Sequence, residues 1–254
     1  MIGHKHEGGG VARPDGSTRR RLSVYIRRVV LTTGAVGLMF VVANWPVSTR
    51  QGVDFEVSTI ELPLYVKALD FVQRDAGYRQ LASRIVPDDA SAEARALMLF
   101  AWTREHVRDV PPGLPVIDDH VWHIVIRGYG TDDQKADVFT TLATYAGVRA
   151  YWALIGEAPK LALSFVQVDG RWRVFDVANG IVFHTSGGDL ATPDELAAEP
   201  ALVEAAAGQR LFRGRPYLSY FTRFHPPEPP DVLRSEQQML GPRLRAWVRR
   251  LVNR

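Results

Sequence analysis

The chain has 254 residues, 46% of them hydrophobic, which supplies one domain of moderate size plus extra segments and excludes disorder as the default state. The formal net charge of +3 is unevenly spread: Met1 to Arg28 nets +5, Pro242 to Arg254 carries five arginines and no acid, and Val29 to Gly241 between them nets −7. A mildly acidic body between two basic ends argues against a nucleic-acid groove and for anionic lipid met at both ends; zero cysteine excludes disulfides and thiolate metal sites and fits either redox compartment.

In chain order, Met1 to Ser17, with Gly8, Gly9, Gly10 and Pro14, reads as a disordered tail in which His4 and His6 are too sparse for metal. Residues 1–28 form a basic cytoplasmic tail. Val29 to Trp45 has no charged residue and follows Arg27 and Arg28 directly. As a helix it spans roughly 25 Å, slightly short of a hydrocarbon core, and Leu22 to Ile26 extend it if the arginines snorkel. Trp45 then sits at the far interface and Pro46 ends the helix. A buried core helix and a signal peptide cleaved after Val41 and Ala43 are the competing readings; the long basic leader favours a retained single-pass anchor. Positive charge before the segment puts the amino terminus in the cytoplasm and the body outside it.

Pro46 to Val57 reads as a linker. Leu62 to Ile85 has helical spacing interrupted by Gly77, and a second helix starts at Ser91 and fades near Val110, before Pro111 and Pro112. Val121 to Arg127 (VWHIVIR) reads as a short strand or extended segment, and Asp132 to Ala146 as a helix with Gly147 past its end. Strands follow over Arg149 to Ile155, Ala162 to Val168 and Arg171 to Val177, the last two joined by an Asp169-Gly170 turn. Thr192, Pro193 and Glu195 form a helix start with a cap, a proline and a reciprocal acid. Helices first and a strand meander later give an α+β class. Residues 46–208 make this domain, and 209–254 an aromatic and basic extension. In that extension, Leu211 to Phe224 either lies on a membrane or tucks against the body. A final helix sets Leu240, Leu244, Trp247, Val248 and Leu251 on one side, resting on anionic lipid or docked on the body or a partner.

The stretch Arg127 to Gly147 (RGYGTDDQKADVFTTLATYAG), followed by VRAYWALI and by VDGRWRVFD ending in Asp176, resembles the core of a transglutaminase-like domain, a papain-like superfold, over roughly Ala92 to Asp176. The resemblance implies helices packed on an antiparallel sheet, here preceded by one transmembrane helix. It also implies a cysteine at a helix start, a histidine on one strand and an Asp or Asn on the next, with the helix terminus and an imidazolium lowering the thiol pKa. Counted back from Gly147, the cysteine position falls on Asp132, with Thr131 and Asp133 as neighbours. Counted back from Asp169 and Gly170, the histidine position falls near Leu161, and no histidine occurs between His123 and His184. Only Asp176 stands where the third member belongs.

Candidate site residues are therefore Asp132, Asp133 and Asp176, as an acidic cluster for a divalent cation or for glycan acid-base chemistry, and His120 and His123 beside Asp118 and Asp119. Asp132 has a competing role as a helix cap, and the two histidines as hydrogen-bonded structural residues. A Ser164 and Asp176 pair lacks a histidine base and a nucleophile elbow. No metal or cofactor is expected. The favoured expectation is a catalytically inactive, membrane-anchored module in the bacterial inner membrane, its body periplasmic or extracellular. There it binds a peptide, a glycan or an envelope assembly partner, with polysaccharide or cell-wall assembly implied by the resemblance alone. The rival is a hydrolase or transferase using the acidic residues and histidines; a third reading is a structural subunit of a membrane complex.

Overall fold

The computed structural model describes the backbone of residues 16–118 and 120–252, and the side chains from Val24 onward except those of 246, 247 and 250–252. The expected tail with His4 and His6, Asp119, and the side chains of Trp247 and Leu251 lie outside the described residues.

Helix α1 (Gly16–Ala43) runs without a break from the basic leader into the apolar run. Its stretch Val24–Ala43 is long and apolar enough to cross a membrane, about 30 Å at helical rise, and none of it is buried against the body. Leader and span are thus one helix with Arg27 and Arg28 inside it. The helix stops before Pro46: Asn44 turns its side-chain amide back onto the Phe40 carbonyl at 2.9 Å.

The segment expected to be a linker is a hairpin of β1 (Pro46–Val53) and β2 (Glu56–Pro63), with the short β3 (Ile117–Asp118) on the other edge of β1. Its two-residue turn, Asp54-Phe55, is left-handed at both positions (φ 49° and 68°) although neither residue is glycine. Asp54 is held by exchange with Val116: its N–H donates to the Val116 carbonyl, and its carboxylate accepts from the Val116 N–H, both at 2.8 Å.

Helix α2 (Leu64–Ile85) passes through Gly77 without interruption. The glycine makes room for the Trp122 ring, which a Cβ there would meet at 2.5 Å. Helix α3 (Ala92–His106) is capped by Ser91, whose hydroxyl accepts from the Ala94 N–H. Val121–Arg127 is not a strand but a short helix, α4, ended by Gly128 in the left-handed region (φ 70°). Packing overrides the β-branched composition here: Trp122 sits edge-on to Tyr78 of α2 and over Gly77. Helix α5 (Asp132–Tyr145) is central, with 11 of its 14 residues buried.

The main sheet is an antiparallel meander of β4 (Ala150–Ile155), β5 (Leu161–Val168), β6 (Arg171–Asp176) and β7 (Ile181–Val182), in that order. Asp169 and Gly170 make the β5–β6 turn with positive φ at both, as expected from their residue types. The period-2 alternation of the strands splits the interior into two cores. Val166, Val168 and Phe175 face α2 to α5, together with Leu99, Phe139 and Leu142. Leu161, Leu163, Phe165 and Val174 face the opposite layer.

That second layer consists of α6 (Pro193–Ala198), α7 (Pro200–Ala207), a hairpin of β8 (Leu211–Phe212) and β9 (Arg215–Pro216), and the 3-10 turn Tyr217–Phe221. The Thr192-Pro193-Glu195 helix start forms its reciprocal cap. Phe212, Tyr217, Tyr220, Phe221, Phe224 and Leu233 are all buried in this core, so the aromatic segment tucks against the body. The chain then crosses to α5, where Thr144 donates to Ser235 (2.7 Å) and Ser235 to the Ala150 carbonyl (2.9 Å), and it ends in α8 (Leu240–Val252). The protein is an α+β fold with helices on an antiparallel sheet and one amino-terminal helix able to span a membrane.

Candidate functional site

Thr131 is the cap of α5, and the Gln134 side chain accepts from the Thr131 N–H at 3.2 Å. Asp132 is therefore the first helical residue rather than the cap, a position where the dipole still favours a carboxylate. Its carboxylate is engaged by Arg213 at 2.7 Å. Arg213 reaches it from the tip of the β8–β9 hairpin, where Arg213 and Gly214 (φ 49° and 80°) form the two-residue turn. Asp133 turns back on the cap, accepting from the Thr131 hydroxyl at 2.5 Å.

Asp176 closes β6 on the face of the second core and is fully buried. Three donors converge on it: the Tyr217 hydroxyl (2.6 Å), the Asn179 N–H (2.9 Å) and the Asn179 side-chain amide (2.8 Å). Burial pushes its pKa up against the pull of these donors, and the nearby Asp132 charge adds to the rise. Tyr217, itself wholly buried, has its hydroxyl held in the protonated form, first by burial and then by the Asp176 charge. Leu161 has no exposed surface and packs in the same core. The Asp132 charge is felt at Asp176, and the chain's own later segment engages both carboxylates: Arg213 on Asp132, Tyr217 on Asp176. Asp176 is sealed from solvent and its oxygens are taken by donors, whereas Asp132 is partly exposed, with Arg213 on one of its two oxygens.

His120 and His123 face each other with ring centroids 5.9 Å apart at the start of α4. Among the described residues no group of three His, Asp or Glu side chains converges as a metal site. Ser164 pairs across the sheet with Phe175, so its side chain points to the first core while Asp176 points to the second, and the two do not meet.

Sequence reasoning missed Asp137. This carboxylate is almost fully buried in α5, paired with Arg234 at 2.8 Å and hydrogen-bonded by Trp152. Burial raises its pKa against the pull of Arg234. Arg213, Tyr217 and Arg234 were missed with it. A two-residue turn at Arg213-Gly214 was the available signal for the first; nothing local marks the others, since their partners lie 41 to 97 residues away in the chain.

No protein-family model matches the chain, and no curated protein matches it. Two solved structures do. One is a candidate cysteine protease from Cytophaga hutchinsonii, 14% identical with a TM-score of 0.35, over 43% of this chain and 42% of that one. The other is a candidate protease from Parabacteroides distasonis, 12% identical with a TM-score of 0.34, over 51% of this chain and 35% of that one. The chain spans less than half the length of either.

Proposed function

We propose that the chain is a membrane-anchored, catalytically inactive transglutaminase-like module that binds an assembly partner in the bacterial cell envelope. The observation that carries this reading is that the positions expected to hold the histidine and the third catalytic member are built into the core, Leu161 wholly buried and Asp176 buried under the Tyr217 hydroxyl, while Asp132 is paired with Arg213. A chain without cysteine cannot supply the thiolate that the resemblance calls for. Recognition then falls to the outer surface of the body, held near the bilayer by α1. A body on the non-cytoplasmic side follows from the basic leader before α1 and makes membrane or envelope proteins and their glycans the partner class.

The test is purification of the full chain in mild detergent at native expression, with identification of what co-purifies. A stable envelope partner retained by Asp132→Ala is the expected result. Loss of a chemical activity in Asp132→Ala or Asp176→Asn, with folding and partner binding intact, would overturn the reading in favour of an enzyme.

A further inference from the structure

We infer that α8 lies on the anionic leaflet at the Trp45 end of α1, its apolar face in the acyl boundary, so that the body is held to one membrane at two points. The inference rests on the reading of α1 as a membrane anchor. Its first support is that the apolar face of α8 is not docked on the body. Leu240, Leu244 and Val248 recur at every fourth residue, one face of the helix, and are 37%, 52% and 51% exposed. The other side carries Pro242, Arg245 and Arg249, which border an open cleft of about 1240 Å³ between α8 and the body, both arginines staying exposed. Docking on the body would bury the leucines.

The second support is position. The Leu64 N–H donates to the Trp45 carbonyl (2.9 Å), so α2 starts where α1 ends. Phe71 is seven residues along α2, and the Arg243 guanidinium lies 4.7 Å from its ring. Asp75, four residues further, accepts from the Leu240 N–H at 3.2 Å. The start of α8 is thus tied to α2 within roughly 10–16 Å of the membrane exit, comparable to the depth of a headgroup layer plus a helix radius. On α2 itself, Tyr65, Leu69 and Val72 form an exposed apolar stripe next to that exit. The third support is charge: Pro242 to Arg254 holds five arginines and no acid, which suits phosphate headgroups and no neutral surface.

The absence of native cysteine allows a clean test. Leu244→Cys and, as a control on the exposed β4–β5 loop, Lys160→Cys each carry one thiol for an environment-sensitive fluorophore. The full-length chain is reconstituted into phosphatidylcholine vesicles with or without phosphatidylglycerol, and quenching by acyl-chain nitroxide lipids is read beside vesicle flotation. Expected is quenching at position 244 and not at 160, strong only with phosphatidylglycerol. Added Arg245→Ala and Arg249→Ala should weaken the bound state about five-fold per charge removed. Equal quenching with and without phosphatidylglycerol would overturn the proposal. So would a label at 244 shielded from aqueous iodide but untouched by the nitroxide lipids, the mark of a second copy covering the face. Flotation without quenching at 244 overturns the α8 proposal while leaving the anchor intact; failure to float overturns the anchor reading and this proposal with it.

Discussion

Asp176 shows why a carboxylate in an expected catalytic position need not be reactive. Its three donors are all supplied by the chain, and both it and Tyr217 are sealed in the second core. Tyr217→Phe removes one donor to the buried Asp176 carboxyl and is expected to cost about 1–3 kcal/mol of stability, read by thermal or denaturant unfolding. Because burial sets the folded pKa of Asp176 above its unfolded value of about 3.9, the group costs stability as pH rises through that window, and more so with a donor missing. The deficit of Tyr217→Phe should therefore be smallest where both folded forms hold a neutral carboxyl and grow as pH rises through the raised folded pKa of Asp176. A pH-independent deficit would mean that lost packing, not the charge, dominates. Phe55 offers a test of opposite sign. It is left-handed and 87% exposed at the β1–β2 tip, so little contact offsets its backbone strain. Phe55→Gly is expected to leave the fold as stable or to raise it by up to about 1 kcal/mol, part of the gain being lost to glycine's greater freedom when unfolded. Thermal unfolding that shows a clear loss would mean that the ring makes a stabilising contact.

At the scale of elements, α8 hangs on one carboxylate. Burial pulls the Asp75 pKa up, but hydrogen bonds from Arg79, Tyr145 and the Leu240 N–H outweigh it, and the net shift is downward. The Tyr145 hydroxyl also lies 2.8 Å from the Gln238 carbonyl, so its single proton is shared between that carbonyl and Asp75 at the approach to α8. Asp75→Ala is expected to free α8 while the core stays folded, seen as faster hydrogen exchange over 240–252 and quicker tryptic cleavage at Arg243 and Arg245. Since the folded pKa is lowered, this anchoring is present above about pH 4 and is lost as pH falls through the folded value, so acid below about pH 4, and not milder acid, should mimic the substitution in the native chain. The elements differ in how far local sequence announced them. Helices α2, α3 and α5, strands β4 to β6 and the Thr192 cap were legible because periodicity, caps and an Asp-Gly turn act within a few residues. Helix α4 was not, because VWHIVIR has strand composition and is made helical by Trp122 seating on Gly77 and Tyr78, 44 to 45 residues earlier. The β1–β2 hairpin was hidden by a polar strand and a turn with no glycine. At the site, the positions Asp132, Leu161 and Asp176 could be counted from motifs, but the groups that engage the two carboxylates arrive from beyond residue 209. Asp137 escaped notice because α5 is buried on nearly all sides, so no apolar stripe marks which carboxylate goes inward.

At the scale of the molecule, the body is built on the four-stranded sheet with a core on each face, and the second core depends on the last quarter of the chain. The boundary drawn from composition at 208 and 209 runs through that core: Leu161, Leu163, Phe165 and Phe183 on one side of it pack with Phe212, Tyr217, Tyr220, Phe221, Phe224 and Leu233 on the other. The same segment supplies Arg213 to Asp132, Tyr217 to Asp176 and Arg234 to Asp137. A chain ended after Gly208, with α1 kept and studied in detergent, would lose six large buried side chains worth about 1.5–3 kcal/mol each, against a usual domain stability of about 5–15 kcal/mol. It would also leave the buried Asp176 and Asp137 carboxylates without their main partners. The expected result is loss of a cooperative unfolding transition. A chain ended after Met239 keeps every one of those groups and removes only α8, so it should unfold cooperatively with a modest fall in midpoint. If the shorter chain folded as cooperatively as the longer one, the segment after Gly208 would be an accessory laid over a finished domain, and the cleft beneath it would be open to a ligand whenever the segment lifted.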